Sequence, residues 1–211
     1  MTADEPILRQ VGDYYGDKLA AHGPTAQGVD WNSEASQQLR FEQFSRLWPT
    51  TAQFSLNDLG CGYGALHDYL YGRGRVVDYF GLDVSAAMIE EASRRTADRK
   101  NCTFACGSSF PRIADYCVAS GIFNVKLRVP DEAWQAHVLA TLAEMHRASC
   151  AGFAFNCLTR YADADRMRSD LYYADPGALF DHCKRHFARN VALLHDYGLY
   201  EFTVVVRKDI A

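Results

Sequence analysis

The chain has 211 residues, 48% hydrophobic and 23% charged, with a net charge of −4. That composition is that of a soluble globular chain with one main domain, and the acidic balance argues against a nucleic-acid partner, whose phosphates need a basic face. The seven cysteines form no C-x-x-C pair and several lie in apolar runs, which points to buried free thiols and a reducing, cytoplasmic setting. No leader segment is expected, and no apolar run reaches the length of a membrane span.

Residues 1–50 read as a helical flap. An amphipathic helix is predicted over 7–20, broken at His22-Gly23-Pro24, and a glycine-bearing loop runs on to Asp30-Trp31. Asn32 or Ser33 can cap a second helix that carries Leu39, Phe41, Phe44 and Leu47 inward and stops before Pro49. Residues 51–211 then alternate. Strands are predicted at 54–59, 76–82, 103–106, 116–119 and 152–157. Helices are predicted at 65–71, from Ser85 through Ala92, and from Asp131 or Glu132 through Met145. Strands alternating with helices imply right-handed crossovers and a parallel sheet covered on both faces. The tail differs: residues 160–175 are polar and tyrosine-bearing, and Pro176-Gly177 opens a helix through Phe187. Strands at 191–194 and 202–206 then turn near Gly198 and pair antiparallel.

Two stretches carry chemistry. Asn57-Asp58-Leu59-Gly60-Cys61-Gly62-Tyr63-Gly64 is a glycine-rich turn leaving a strand, and Gly81-Leu82-Asp83-Val84-Ser85 places a carboxylate at the tip of the next one. The glycines permit a tight turn and close approach of a ligand, and the following helix points its positive end at it. Asp83 can accept hydrogen bonds from both hydroxyls of a ribose. Gly60, Gly62 and Ala65 also fit the dinucleotide pattern, so the glycines alone leave two cofactor classes open. Asp58 separates them: its charge repels a pyrophosphate and suits the ammonium and sulfonium of S-adenosylmethionine. Ser85-Ala86-Ala87-Met88 brings an apolar side chain toward the place of adenine, and Gly107-Ser108-Ser109 can meet the adenine edge.

This arrangement resembles the class I S-adenosylmethionine-dependent methyltransferases, through the glycine motif at 58–64 and the ribose motif at 81–88, over about residues 54–157. The resemblance implies an α/β fold: a Rossmann-like, mostly parallel seven-stranded sheet flanked by helices, with a C-terminal antiparallel hairpin and the N-terminal helical flap as a lid. It implies S-adenosylmethionine as cofactor and S-adenosylhomocysteine as product. Asp58, Gly60, Cys61 and Gly62 should line the methionine end and Asp83 the ribose. Val84, Met88, Gly107, Ser108 and Ser109 should surround adenine, and Ser120 and Gly121 should face the methionine and the acceptor. Where methyltransferases of nucleic-acid bases and of protein glutamine carry Asn/Asp-Pro-Pro-Tyr/Phe, this chain reads Ser120-Gly121-Ile122-Phe123-Asn124, which speaks against those acceptors.

The expected reaction is methyl transfer to oxygen or nitrogen of a small polar acceptor by in-line displacement, in a monomer or homodimer with no membrane partner. A nicotinamide-dependent oxidoreductase and a non-catalytic module on the same fold are the alternatives. His22, His195 and Asn124 are the catalytic candidates, with Asn156 and Lys126 beside them; each also fits an ordinary structural or surface role. Trp31, Tyr14 and Tyr15 could wall the cofactor or acceptor, and Arg40 could clamp a carboxylate. Tyr161, Tyr172 and Tyr173 could form an acceptor pocket. No metal site is expected: His182 and His186 have helical pair spacing, but Lys184 and Arg185 between them suggest a solvated basic face.

Overall fold

Ser33 opens the second N-terminal helix with a reciprocal cap: its hydroxyl accepts the Ser36 N–H at 3.1 Å and Ser36 Oγ accepts the Ser33 N–H at 3.3 Å. The computed structural model describes residues 5–50 and 53–208. Helices α1 (Glu5–His22) and α2 (Glu34–Phe44) precede β1 (Phe54–Leu59), α3 (Ala65–Gly72), β2 (Val77–Asp83), α4 (Ala86–Arg95), β3 (Cys102–Cys106) and β4 (Ala114–Ala119). Then follow α5 (Asp131–Arg147), β5 (Ser149–Leu158), α6 (Pro176–His186), β6 (Asn190–Leu194) and β7 (Glu201–Arg207). Among the described residues no helix is long and apolar enough to cross a membrane.

The sheet order is β3-β2-β1-β4-β5-β7-β6. The first five strands run parallel, and β7 is antiparallel to both β5 and β6. The last two strands do pair as a hairpin, but β7 folds back between β5 and β6 rather than adding at the edge. Phe202, Val204, Val205 and Val206 explain this: side chains on both faces of β7 are apolar and fully buried, as an interior strand requires.

Each face of the sheet carries its own core. On one, Leu59, Phe80, Leu82, Phe153, Phe155, Val204 and Val206 meet Trp134, Val138 and Leu142 of α5 and Leu179 and Cys183 of α6. On the other, Leu56, Tyr79, Val118, Ala154 and Val205 meet Phe41 and Phe44 of α2 and Leu66 and Leu70 of α3. The connection between β3 and β4 is a loop, where other parallel crossovers use a helix. Phe110 covers Phe80 edge-on at 6.3 Å, and the Arg112 guanidinium lies 5.4 Å from the same ring. Strand order reverses between β1 and β4, and the crevice at their carboxyl ends is where α/β sheets bind ligands.

Candidate active site

The glycine turn is tied to the next strand by its own backbone N–H groups. Leu82 O accepts both Gly60 N–H, at 2.7 Å, and Cys61 N–H, at 3.1 Å. Gly62 N–H donates to Asp83 Oδ2 at 2.9 Å, and Ser85 N–H to Oδ1 at 2.8 Å. Backbone N–H groups of Gly62, Ser85 and Val84 act on the Asp83 carboxylate, whose remaining lone pairs can accept from a vicinal diol. Burial raises the Asp83 carboxyl above its usual range against the pull of those N–H donors. Gly60 has φ +71°, and a Cβ there would lie 2.1 Å from Ile122 Cγ2, so only glycine fits.

Asp58 lines the same cleft and is 2% exposed. Burial pushes its carboxyl up to about 7; the Tyr79 hydroxyl, which donates to Oδ2, opposes this and the Asp83 charge adds to it. A cationic ligand at this spot would restore the charge that burial disfavours.

Trp31 roofs the cleft. Its indole lies so close to Gly121 that a Cβ there would meet the ring at 2.3 Å, and the Arg40 guanidinium lies 3.8 Å from the ring centroid. Arg40 itself is committed elsewhere: Nε and Nη2 donate to Glu201 Oε2 and Oε1 at 2.7 and 2.6 Å, and Nη1 to Ser36 O at 2.6 Å. Its guanidinium is thus bonded within the protein, and Arg40 does not line the cleft. Asn156 shapes the floor, accepting Gly121 N–H at 2.7 Å and donating to Ser120 Oγ at 3.4 Å.

The cleft has a volume of about 350 Å³. Trp31, Asp58, Gly60, Cys61, Gly62, Asp83, Val84, Met88, Gly107, Ser108, Ser109 and Ser120 all line it, as does Tyr15; Arg40 and Tyr14 do not. The wall also includes Tyr63 of the glycine motif and side chains that no motif pointed to: Leu8 and Val11 of α1, Gln37 and Phe41 of α2, Ile122, and His137 and Glu144 of α5. Gln37 is 5% exposed and its Oε1 accepts from the Tyr63 hydroxyl at 3.2 Å. Helical amphipathicity marks such residues only as buried, because a core face and a ligand-facing face share one pattern.

The catalytic candidates stand apart from the cleft. His22 ends α1, exposed, and lines a second cavity that shares Gln37, Phe41, Tyr63 and Ala65 with the cleft. His195 is exposed between the rings of Tyr161 and Phe202, at 6.1 and 6.0 Å. Asn124 is buried and accepts Leu158 N–H at 3.0 Å, a strand-end role. Lys126 pairs with Asp131 at 3.2 Å. The tyrosines after β5 do not wall the cleft either: Tyr161 is exposed, Tyr172 packs on the core, and the Tyr173 hydroxyl accepts Arg168 N–H at 3.0 Å. The His182 and His186 rings are 4.4 Å apart, and no group of three metal-ligating side chains occurs among the described residues.

Residues 57–152 match the family described as a methyltransferase domain. A Mycobacterium tuberculosis protein named "Putative methyltransferase Rv1506c" is 61% identical over 155 residues, 74% of this chain and 93% of that protein. Among solved structures, the N-methyltransferase NodS from Bradyrhizobium japonicum WM9, in complex with S-adenosylhomocysteine, aligns with a TM-score of 0.67 at 15% identity, over 94% of this chain and 98% of its own. The cyclase SpnF aligns with a TM-score of 0.71 at 14% identity, over 97% of both chains. At such identities the structural likeness speaks for the fold and not for the reaction.

Proposed function

We infer the use of this cleft from the family the chain belongs to, the class I S-adenosylmethionine-dependent methyltransferases: it transfers the donor's methyl group to oxygen or nitrogen of a small polar acceptor by in-line displacement. The carrying observation is the pairing, in one cleft, of Asp83 braced by Gly62 and Ser85 with the buried carboxyl of Asp58. Asp83 takes the ribose hydroxyls. Asp58 favours the cationic methionine end. Val84, Met88, Ser108 and Ser109 bound the adenine, and the Gly60 and Ser120-Gly121 turns let the sulfonium approach backbone.

Displacement at a methyl carbon needs alignment more than acid–base chemistry. The acceptor atom, the carbon and the sulfur must lie in line, and water must be kept out. Trp31, in contact with both Gly121 and Arg40, supports the reading of residues 1–50 as a lid that does this. The seven cysteines, all free, suit a reducing cytoplasm. Asp83→Ala should abolish S-adenosylhomocysteine binding in calorimetry, and unchanged affinity would sink the donor assignment.

A further inference from the structure

Helix α3 begins without a side-chain cap. Its N-cap is Gly64, and the N–H groups of Ala65 and Leu66 make no hydrogen bond among the described residues. Both residues line the cleft, so the positive end of this helix opens on it. The acid of the first turn, Asp68, does not cancel that end, because Arg95 and Arg99 both bind it. Gln37 reaches the same turn from α2. It is 5% exposed and is the only buried residue between Asn32 and Leu39. The Tyr63 hydroxyl donates to its Oε1 at 3.2 Å, which fixes the amide and leaves Nε2 pointing away from Tyr63. Nε2, with two N–H donors, makes no hydrogen bond among the described residues, and Gln37 lines both the cleft and the second cavity. A polar group buried this far gains by meeting an acceptor.

The donor molecule offers one acceptor that has no partner so far, its carboxylate. Asp83 takes the ribose, and Asp58 favours the ammonium and sulfonium. Arg40, the side chain expected to clamp a carboxylate, is bonded to Glu201 and Ser36. Lys18 is paired with Asp30 at 2.7 Å. Arg147 lines the cleft, but it is bonded to Glu144 in the last turn of α5. The open end of α3 and the Gln37 amide, by contrast, adjoin the glycine turn, where the methionine part runs.

We propose that Gln37 and the first N–H groups of α3 bind the donor's carboxylate, so that helix α2 is fastened to the cleft only by a donor whose amino-acid head is intact. The proposal rests on the methyltransferase reading above. The head's charges are then divided, cations toward Asp58 and the anion toward the helix end seven residues on. Tyr63 acts as a positioning residue that holds the amide in place. Gln37 is three residues from Arg40, so the bound carboxylate adds a second tie to α2 one turn before the Arg40–Glu201 pair. It also forms part of the wall between the cleft and the second cavity, since Gln37, Tyr63 and Ala65 line both.

Two ligands test this by calorimetry: S-adenosylhomocysteine, and its decarboxylated form, which keeps the ammonium and lacks only the carboxylate. The wild-type chain should bind S-adenosylhomocysteine more tightly. Gln37→Leu should weaken S-adenosylhomocysteine about tenfold and change the decarboxylated ligand by less than about twofold. Gln37→Glu, which keeps the side chain's length, sets a like charge against the carboxylate. It should weaken S-adenosylhomocysteine further and leave the decarboxylated ligand at least as tight. Hydrogen exchange in the first turns of α2 should slow with saturating S-adenosylhomocysteine and not with the decarboxylated ligand. Equal affinity of the wild-type chain for both ligands overturns the proposal, as does unchanged S-adenosylhomocysteine binding in Gln37→Leu or equal weakening of both ligands in both variants. Wild-type chain that binds neither ligand overturns the donor reading itself, a distinct failure.

Discussion

Buried against Tyr79 and titrating near 7, Asp58 couples the cleft to pH. Its folded value lies above the unfolded one, so the fold holds this proton more tightly than the open chain does. The group's contribution to stability is therefore fully present below the unfolded carboxylate pKa and is lost as pH rises through about 7. Donor binding runs the other way, because the cationic ligand favours the carboxylate. S-adenosylmethionine affinity should fall by close to tenfold per pH unit below about 7 and level off above it. Calorimetry across pH checks this, and Asp58→Asn should flatten the profile; a wild-type profile that is already flat would refute the assignment. At this scale the sequence was legible wherever a residue's role follows from its place in a local motif. Asp58, Gly60 and Asp83 lie where the turn must put them. Gln37 and Phe41 were not legible as wall residues, because a helix from elsewhere in the chain brings them in.

Helix α2 is locked to the sheet by one buried ion pair. The Arg40 and Glu201 side chains are 6% and 2% exposed and joined by two hydrogen bonds. Removing one partner strands the other charge in the interior, so Arg40→Ala should cost about 3–5 kcal/mol. Urea unfolding should show a lower midpoint at unchanged slope. Replacing both residues together, Arg40→Met with Glu201→Leu, should be close to neutral in stability. If the double replacement loses as much as the single one, the ion pair's charge is not what stabilises the junction. The elements themselves were legible: β1 has the predicted bounds, and Ser33 and Ser85 cap their helices. The insertion of β7 between β5 and β6 was not, since hairpin spacing specifies antiparallel pairing without saying which neighbour lies on the far side.

The cleft is formed between helices α1 and α2 and the sheet, so ligand binding should stabilise the molecule as a whole. S-adenosylhomocysteine at about 100 times its Kd should add roughly 2.7 kcal/mol, which for a chain of this size raises Tm by about 5–10 °C. Hydrogen exchange should slow in α1 and α2 along with the glycine turn. A shift produced by NAD and not by S-adenosylhomocysteine would reverse the cofactor assignment. By itself the sequence determined the donor half: the α/β alternation, the glycine turn and the acid two residues before it, and the ribose acid at the next strand tip. These depend on contacts within some thirty residues, where chain geometry leaves few choices. Only the tertiary structure decided the rest of the wall. It ties Arg40 to Glu201 and brings Leu8, Val11, Gln37 and Phe41 to the cleft. Those positions are set by how residues 5–50 pack across a sheet more than a hundred residues deep, and a helix's pattern records that it packs without recording against what.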